Sequence, residues 1–115
     1  MISVTPKEAR LTEVRALLAS SSLSRRHGAL QDSLSTTTYL AELVRMDLDL
    51  GLNIDAVAQY EASNVLWDQG EMSGSIGILQ SILESTDLLK QDVPIGKAEL
   101  LAKLVSEIWY IIKPS

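Results

Sequence analysis

Apolar residues return every three to four positions in five separate stretches of this 115-residue chain. That period belongs to the α-helix, whereas a strand would need strict alternation. The first stretch opens on Thr5-Pro6-Lys7-Glu8, a capping box with proline at the first helical position. Leu11, Val14, Leu17 and Leu18 follow, predicting a helix over about 6–20. Ser20-Ser21-Ser22 competes for backbone hydrogen bonds and predicts a turn. The second helix is expected over about 24–50, with Leu30, Leu34, Thr37, Ala41, Val44 and Leu48 on one face. Gly28 is a weak point early in it, and Gly51 is its left-handed stop. The β-branched run Thr36-Thr37-Thr38 keeps the helical period and is read as helix. The third helix, about 54–69, carries Ile54, Val57, Ala58, Ala62, Val65 and Leu66 and ends at Gly70. The fourth, about 72–86, carries Met72, Ile76, Leu79, Ile82 and Leu83. A loop from Asp87 leads to Pro94, and the fifth, about 95–113, carries Ile95, Ala98, Leu101, Val105, Ile108 and Ile112.

Short connections make consecutive helices antiparallel, so the expected fold is all-α, built of helical hairpins laid side by side. A closed bundle is the alternative. The length suits one small domain or a piece of a larger one. At 46% hydrophobic residues the chain can fill a core, which argues against wholesale disorder.

Much chemistry is excluded by what the chain lacks. It has no cysteine, hence no disulfide, no thiolate metal site and no cysteine nucleophile. Its one histidine, His27, cannot build a multi-histidine metal site and reads as a surface residue at a helix start. Asp47-Leu48-Asp49-Leu50-Gly51-Leu52-Asn53-Ile54-Asp55 alternates oxygen ligands like a calcium loop. Leu52 stands where that loop needs glycine and Ala58 where it needs glutamate, so a helix end followed by a cap is the better reading. No phosphate-cradling glycine loop and no kinase signature occurs, so no cofactor is expected. No apolar stretch reaches the ~20 residues that span a bilayer, no signal peptide is seen, and no membrane partner is expected. Six basic residues face four acids in 1–46, but four lysines face eleven acids in 47–115. A chain with net charge -5 makes a poor direct grip on nucleic acid. Arg25-Arg26-His27 is the one basic knot and is read as a solvated helix start.

The segment Trp67-Asp68-Gln69-Gly70-Glu71-Met72 sits between two helices, as the turn of a tetratricopeptide repeat does. Setting Gly70 on that turn predicts a degenerate 34-residue unit from Ala56 to Leu89. Ser63 and Ser75 fall where helices cross closely, and Leu66, Leu79 and Leu83 fall on the hairpin seam. Gln59, Ile82 and Asp87 replace the consensus tryptophan, alanine and proline. Trp67 is read as an anchor between helix pairs, with peptide binding as the lesser use. Structural or interaction candidates are thus Leu66, Trp67, Gly70, Met72, Leu79 and Leu83. Helices 1 and 2 form a preceding unit and helix 5 the start of a following one, so the chain reads as an excerpt of an α-solenoid. Helix 5, with its long apolar stripe, is expected to fold back or to self-associate.

Tyr60-Glu61-Ala62, the pair Leu66-Trp67, Gln69-Gly70-Glu71 and the helix end Ile78-Leu79-Gln80-Ser81-Ile82 resemble the FAT region of ATM-type checkpoint kinases. They are similar in particular to the fungal telomere-maintenance members of that family. Leu23-Ser24-Arg25-Arg26-His27-Gly28-Ala29-Leu30-Gln31 and Gly51-Leu52-Asn53-Ile54-Asp55 fit the same region. The resemblance covers about residues 3–104, and Val105 to Ser115 does not look like its continuation. It implies a solenoid of helix pairs that supports a serine/threonine kinase domain placed downstream. It also implies a nuclear protein acting in DNA-break response and telomere maintenance, with other helical repeats as partners. No catalytic residue of the kinase carries over onto this chain. A freestanding helical-repeat adaptor is the alternative function.

Overall fold

The structure, a computed structural model, describes residues 3–114. Five α-helices run in order: α1 Pro6–Arg26, α2 Leu30–Asp47, α3 Asp55–Asp68, α4 Met72–Ser85 and α5 Lys97–Ile112. Single 3-10 turns at Leu48–Leu50 and Leu88–Lys90 follow α2 and α4. No strand occurs among the described residues, and the all-α expectation holds.

Three glycines divide the first four helices, by one device. Gly28, Gly51 and Gly70 have φ of 71°, 70° and 84°, and no other residue type takes a positive φ among the described residues. At Gly28 the glycine N–H donates to Arg25 O at 3.1 Å and Ala29 N–H to Ser24 O at 2.8 Å. At Gly70 the same pair of bonds runs to Trp67 O at 3.0 Å and, from Glu71 N–H, to Leu66 O at 2.8 Å. This is the Schellman closure, which satisfies the last carbonyls of a helix and needs a left-handed residue that only glycine adopts cheaply.

The expected break at Ser20 to Ser24 is therefore corrected. The first helix starts on the capping box, with Glu8 N–H donating to Thr5 Oγ1 at 3.1 Å and Thr5 N–H to Glu8 Oε2 at 3.2 Å. It then runs through the serines to Arg26, and the second helix starts at Leu30 rather than near 24. Ser21 is fully buried, so a small side chain there lets α1 approach its neighbours. His27 is the exposed C-cap of α1, not a helix start.

The buried face of α2 is also rotated from the expected one. Ser33, Thr37, Leu40, Leu43 and Asp47 point inward, while Leu34 and Leu48 are exposed. One continuous core joins Val14 of α1, Leu40 and Leu43 of α2, Ala56 of α3, Leu79 and Ile82 of α4, and Leu100 of α5. Consecutive helices pack on one another, α1 on α2, α2 on α3, α3 on α4 and α4 on α5. The body measures 60 × 30 × 21 Å, drawn out in one direction as stacked hairpins are.

The α4–α5 connection is more than a link. Gln91 Oε1 accepts from Ala56 N–H at 3.1 Å, and its Nε2 donates to Asp55 Oδ1 at 2.8 Å. Asn53 N–H donates to Asp92 Oδ2 at 2.7 Å, and Asp92 N–H to Asn53 O at 2.9 Å. Helix α3 has no side-chain cap of its own, and Gln91 of this distant loop satisfies one of its first donors, the Ala56 N–H.

Candidate functional site

The candidate residues surround the α3–α4 turn. Leu79 is fully buried in the shared core, and Leu83 is half-buried against it. Leu66 is half-buried, and its Cδ1 lies 3.3 Å from where a Cβ on Gly74 would stand, so the absent side chain lets α3 and α4 close together. Gly70 closes α3, and half-buried Met72 opens α4. Trp67 meets Tyr110 of α5 edge to face, with ring centroids 5.4 Å apart at 70°. Such a pair adds about 0.5–1.5 kcal/mol beyond its burial. Ser63 and Ser75 are both fully buried.

Charged residues that the periodicity did not single out join the elements. Arg25, in the last turn of α1, grips Glu61 of α3 through two bonds, Nε to Oε2 at 2.9 Å and Nη2 to Oε1 at 3.0 Å. It also lies 3.6 Å from Asp68. Burial opposes the Arg25 charge, but the hydrogen bond and attraction of Glu61, helped by Asp68, hold its pKa above the ordinary guanidinium value. Arg25 is thus a clasp between the two hairpins, which corrects its reading as part of a solvated helix start. Arg26 and His27 beside it are exposed.

A second polar lock seats α5. Ser75 Oγ donates to Glu107 Oε1 at 2.7 Å, and Lys103 Nζ lies 2.9 Å from Glu107 Oε2. Lys103 also stands 6.0 Å above the Tyr60 ring. The one advance signal was Lys103 and Glu107 at helical i,i+4 spacing. An acid on an apolar helix reads as a surface residue until a serine is found opposite it.

The third charged contact is Asp47, fully buried at the end of α2, with Arg10 Nη1 3.5 Å from Oδ1. Burial pushes its carboxyl above the ordinary carboxylate value, Arg10 pulls it back and Glu13 adds to the rise. An acid with a raised folded pKa weakens the fold when ionised and stops doing so as pH falls through that pKa and then the unfolded value. Asp47→Asn should therefore raise the urea midpoint at neutral pH, and the gain should vanish below about pH 4. An equal gain at both pH values would show that Asp47 ionisation is not its source. Among the described residues no group of three metal-ligating side chains forms, and the calcium-like run is parted between this ion pair and the start of α3.

An open groove of about 180 Å³ runs between α2 and α3, lined by Thr37, Ala41, Val44, Asp55, Ala58, Gln59 and Ala62. No described helix is long and apolar enough to cross a membrane.

Comparison with known proteins places this arrangement. No family model matches the chain. It is 47% identical over 97 residues to the serine/threonine-protein kinase tel1 of Emericella nidulans, covering 84% of this chain and 4% of that protein. It is 44% identical over 101 residues to tel1 of Neurospora crassa, covering 88% of this chain and 3% of that protein. The FAT and kinase domain of CtTel1 superposes with a TM-score of 0.94 at 38% identity, over 99% of this chain and 8% of that one. The open conformation of CtTel1 gives a TM-score of 0.93 at 38% identity, over 99% of this chain and 4% of that one. The sequence and fold are those of a FAT-region segment of Tel1/ATM-type kinases. The chain spans only about 4% of the length of the first of these curated relatives. The structural match to CtTel1 extends across nearly the whole of this chain.

Proposed function

We propose that the chain is a non-catalytic helical scaffold, the part played by a FAT segment in a Tel1/ATM-type serine/threonine kinase. The observation that carries this is the superposition on CtTel1 over 99% of the chain. The physical content supports it: two buried polar contacts join separate helices, Arg25 on Glu61 and Ser75 on Glu107. By the family resemblance the setting is nuclear, in DNA damage response and telomere maintenance, with neighbouring helical repeats as partners. The groove between α2 and α3 is the feature that favours a freestanding adaptor instead. Its lining holds one acid and no lysine, so it has no clamp for a peptide carboxylate, and the scaffold reading is preferred.

The test is a transplant. The segment of a fungal Tel1 kinase that aligns with this chain is replaced by the whole chain, all of α5 included, and substrate phosphorylation is measured. Activity near that of the parent supports the scaffold role. Loss equal to that of a flexible-linker replacement, in a kinase that is still folded, contradicts it. The purified chain alone should transfer no phosphate from ATP, and contaminant-free transfer would overturn the non-catalytic assignment.

A further inference from the structure

Helix α5 carries two rows of side chains with the same spacing, one residue out of step. Leu100, Leu104, Glu107 and Ile111 are separated by four, three and four positions, and so are Leu101, Val105, Ile108 and Ile112. One residue is a turn of about 100° about a helix axis, so the two rows lie side by side on the cylinder. The first is turned toward the hairpin: Leu100 and Glu107 are buried, and Leu104 packs against the core. The second is exposed along its whole length. The single stripe expected from sequence thus divides, with Ile95 buried before the helix begins and Ala98, Leu101, Val105, Ile108 and Ile112 facing outward. The seated row is the less apolar of the two, since it holds an acid where the other holds Ile108. Apolar burial in the seat would therefore choose the other row. Gly96 gives α5 no side-chain cap, so the start of the helix does not fix its rotation either.

We propose that the Ser75–Glu107 hydrogen bond is a selector, which holds α5 on its acid-bearing row and prevents a roll of about 100° onto the fully apolar one. Ser75 is fully buried, its Oγ donates to Glu107 Oε1 at 2.7 Å, and Lys103 Nζ stands 2.9 Å from Oε2. A rolled helix sets Ile108 in the place of Glu107. The Ser75 hydroxyl then loses its acceptor inside an apolar seat, and Lys103 swings away from the Tyr60 ring. Buried polar pairs contribute little net stability, but they do fix the register in which helices meet. A buried serine acts here chiefly by penalising the wrong row. Selection at this seat does not depend on what lies against the outer row. The Trp67–Tyr110 edge contact also belongs to the observed seating, but the Tyr110 side of it is half exposed.

Thiol labelling of the full chain tests this, because the chain has no cysteine of its own. Leu104→Cys reports the inner row and Val105→Cys the outer one. Each is treated with N-ethylmaleimide and compared with itself as the lock is altered. With the lock intact, the Val105→Cys thiol should react about tenfold faster than the Leu104→Cys thiol. Adding Ser75→Ala should move the two rates in opposite directions, the inner thiol about tenfold faster and the outer about tenfold slower, with helicity by circular dichroism retained. Glu107→Ala removes the acceptor instead of the donor and should give the same opposed shifts. Should Ser75→Ala cost helicity, Glu107→Ala decides by that pattern. Glu107→Gln keeps an acceptor for the serine and should leave both rates within about twofold, as should Tyr110→Ala. Both thiols speeding up together would mean that the bond merely holds α5 down, and would overturn the selector. Unchanged rates in Ser75→Ala and Glu107→Ala, or opposed shifts in Glu107→Gln or Tyr110→Ala, would overturn it as well.

Discussion

Replacing Arg25 by methionine should destabilise the fold by about 3–5 kcal/mol, because it strands a buried carboxylate rather than merely deleting a contact. Glu61 is 5% exposed, and among the described residues its side chain bonds, apart from Arg25, only to the Asn64 amide, at a long 3.4 Å. A charge that leaves water must be neutralised or matched. The double change Arg25→Met with Glu61→Met removes both charges and should recover most of the loss, since buried pairs cost nearly as much to desolvate as they return. Urea unfolding of the two variants measures the difference. A loss under about 1 kcal/mol for Arg25→Met would mean that the pair is solvent-screened like a surface one.

Leu79→Ala should cost about 2–5 kcal/mol. The side chain is fully buried in the one cluster that all five helices share. Removing it leaves a void that backbones held by the Gly70 closure and the Ser75–Glu107 bond cannot easily fill. Leu83→Ala, at a half-buried position one turn on, should cost clearly less. Equal losses would show that α4 is rolled about its axis relative to the arrangement described.

The places where sequence and structure part company have a common physical root. Gly51 and Gly70 were legible as helix stops because the apolar period on each side ends at them. Gly28 carries the same signal. The serines at 20–22 offer a nearer local reason to break, and no local rule says that tertiary packing of Val14, Leu17 and Leu18 carries a helix through them. The inward face of α2 was hidden in another way. Its core positions include Ser33, Thr37 and Asp47, so a count of apolar residues chose the neighbouring row. Those serine and threonine hydroxyls bond back to their own helix, Ser33 to Leu30 O and Thr37 to Leu34 O, which makes them acceptable inside. The clasp of Arg25 on Glu61 and the lock of Glu107 on Ser75 link residues more than 30 positions apart. Spacing along a chain cannot report such pairs. The family resemblance does not depend on helix ends, because it rests on residue identities around the Gly70 turn.

Backbone chemical shifts of the isotopically labelled chain test the account most directly. An unbroken helix from Pro6 to Arg26, left-handed shifts at Gly28, Gly51 and Gly70, and the slowest amide exchange in α3 and α4 are the expected results. A break at Ser20 to Ser24 with helical shifts through Gly28 would contradict the glycine-closed hairpins.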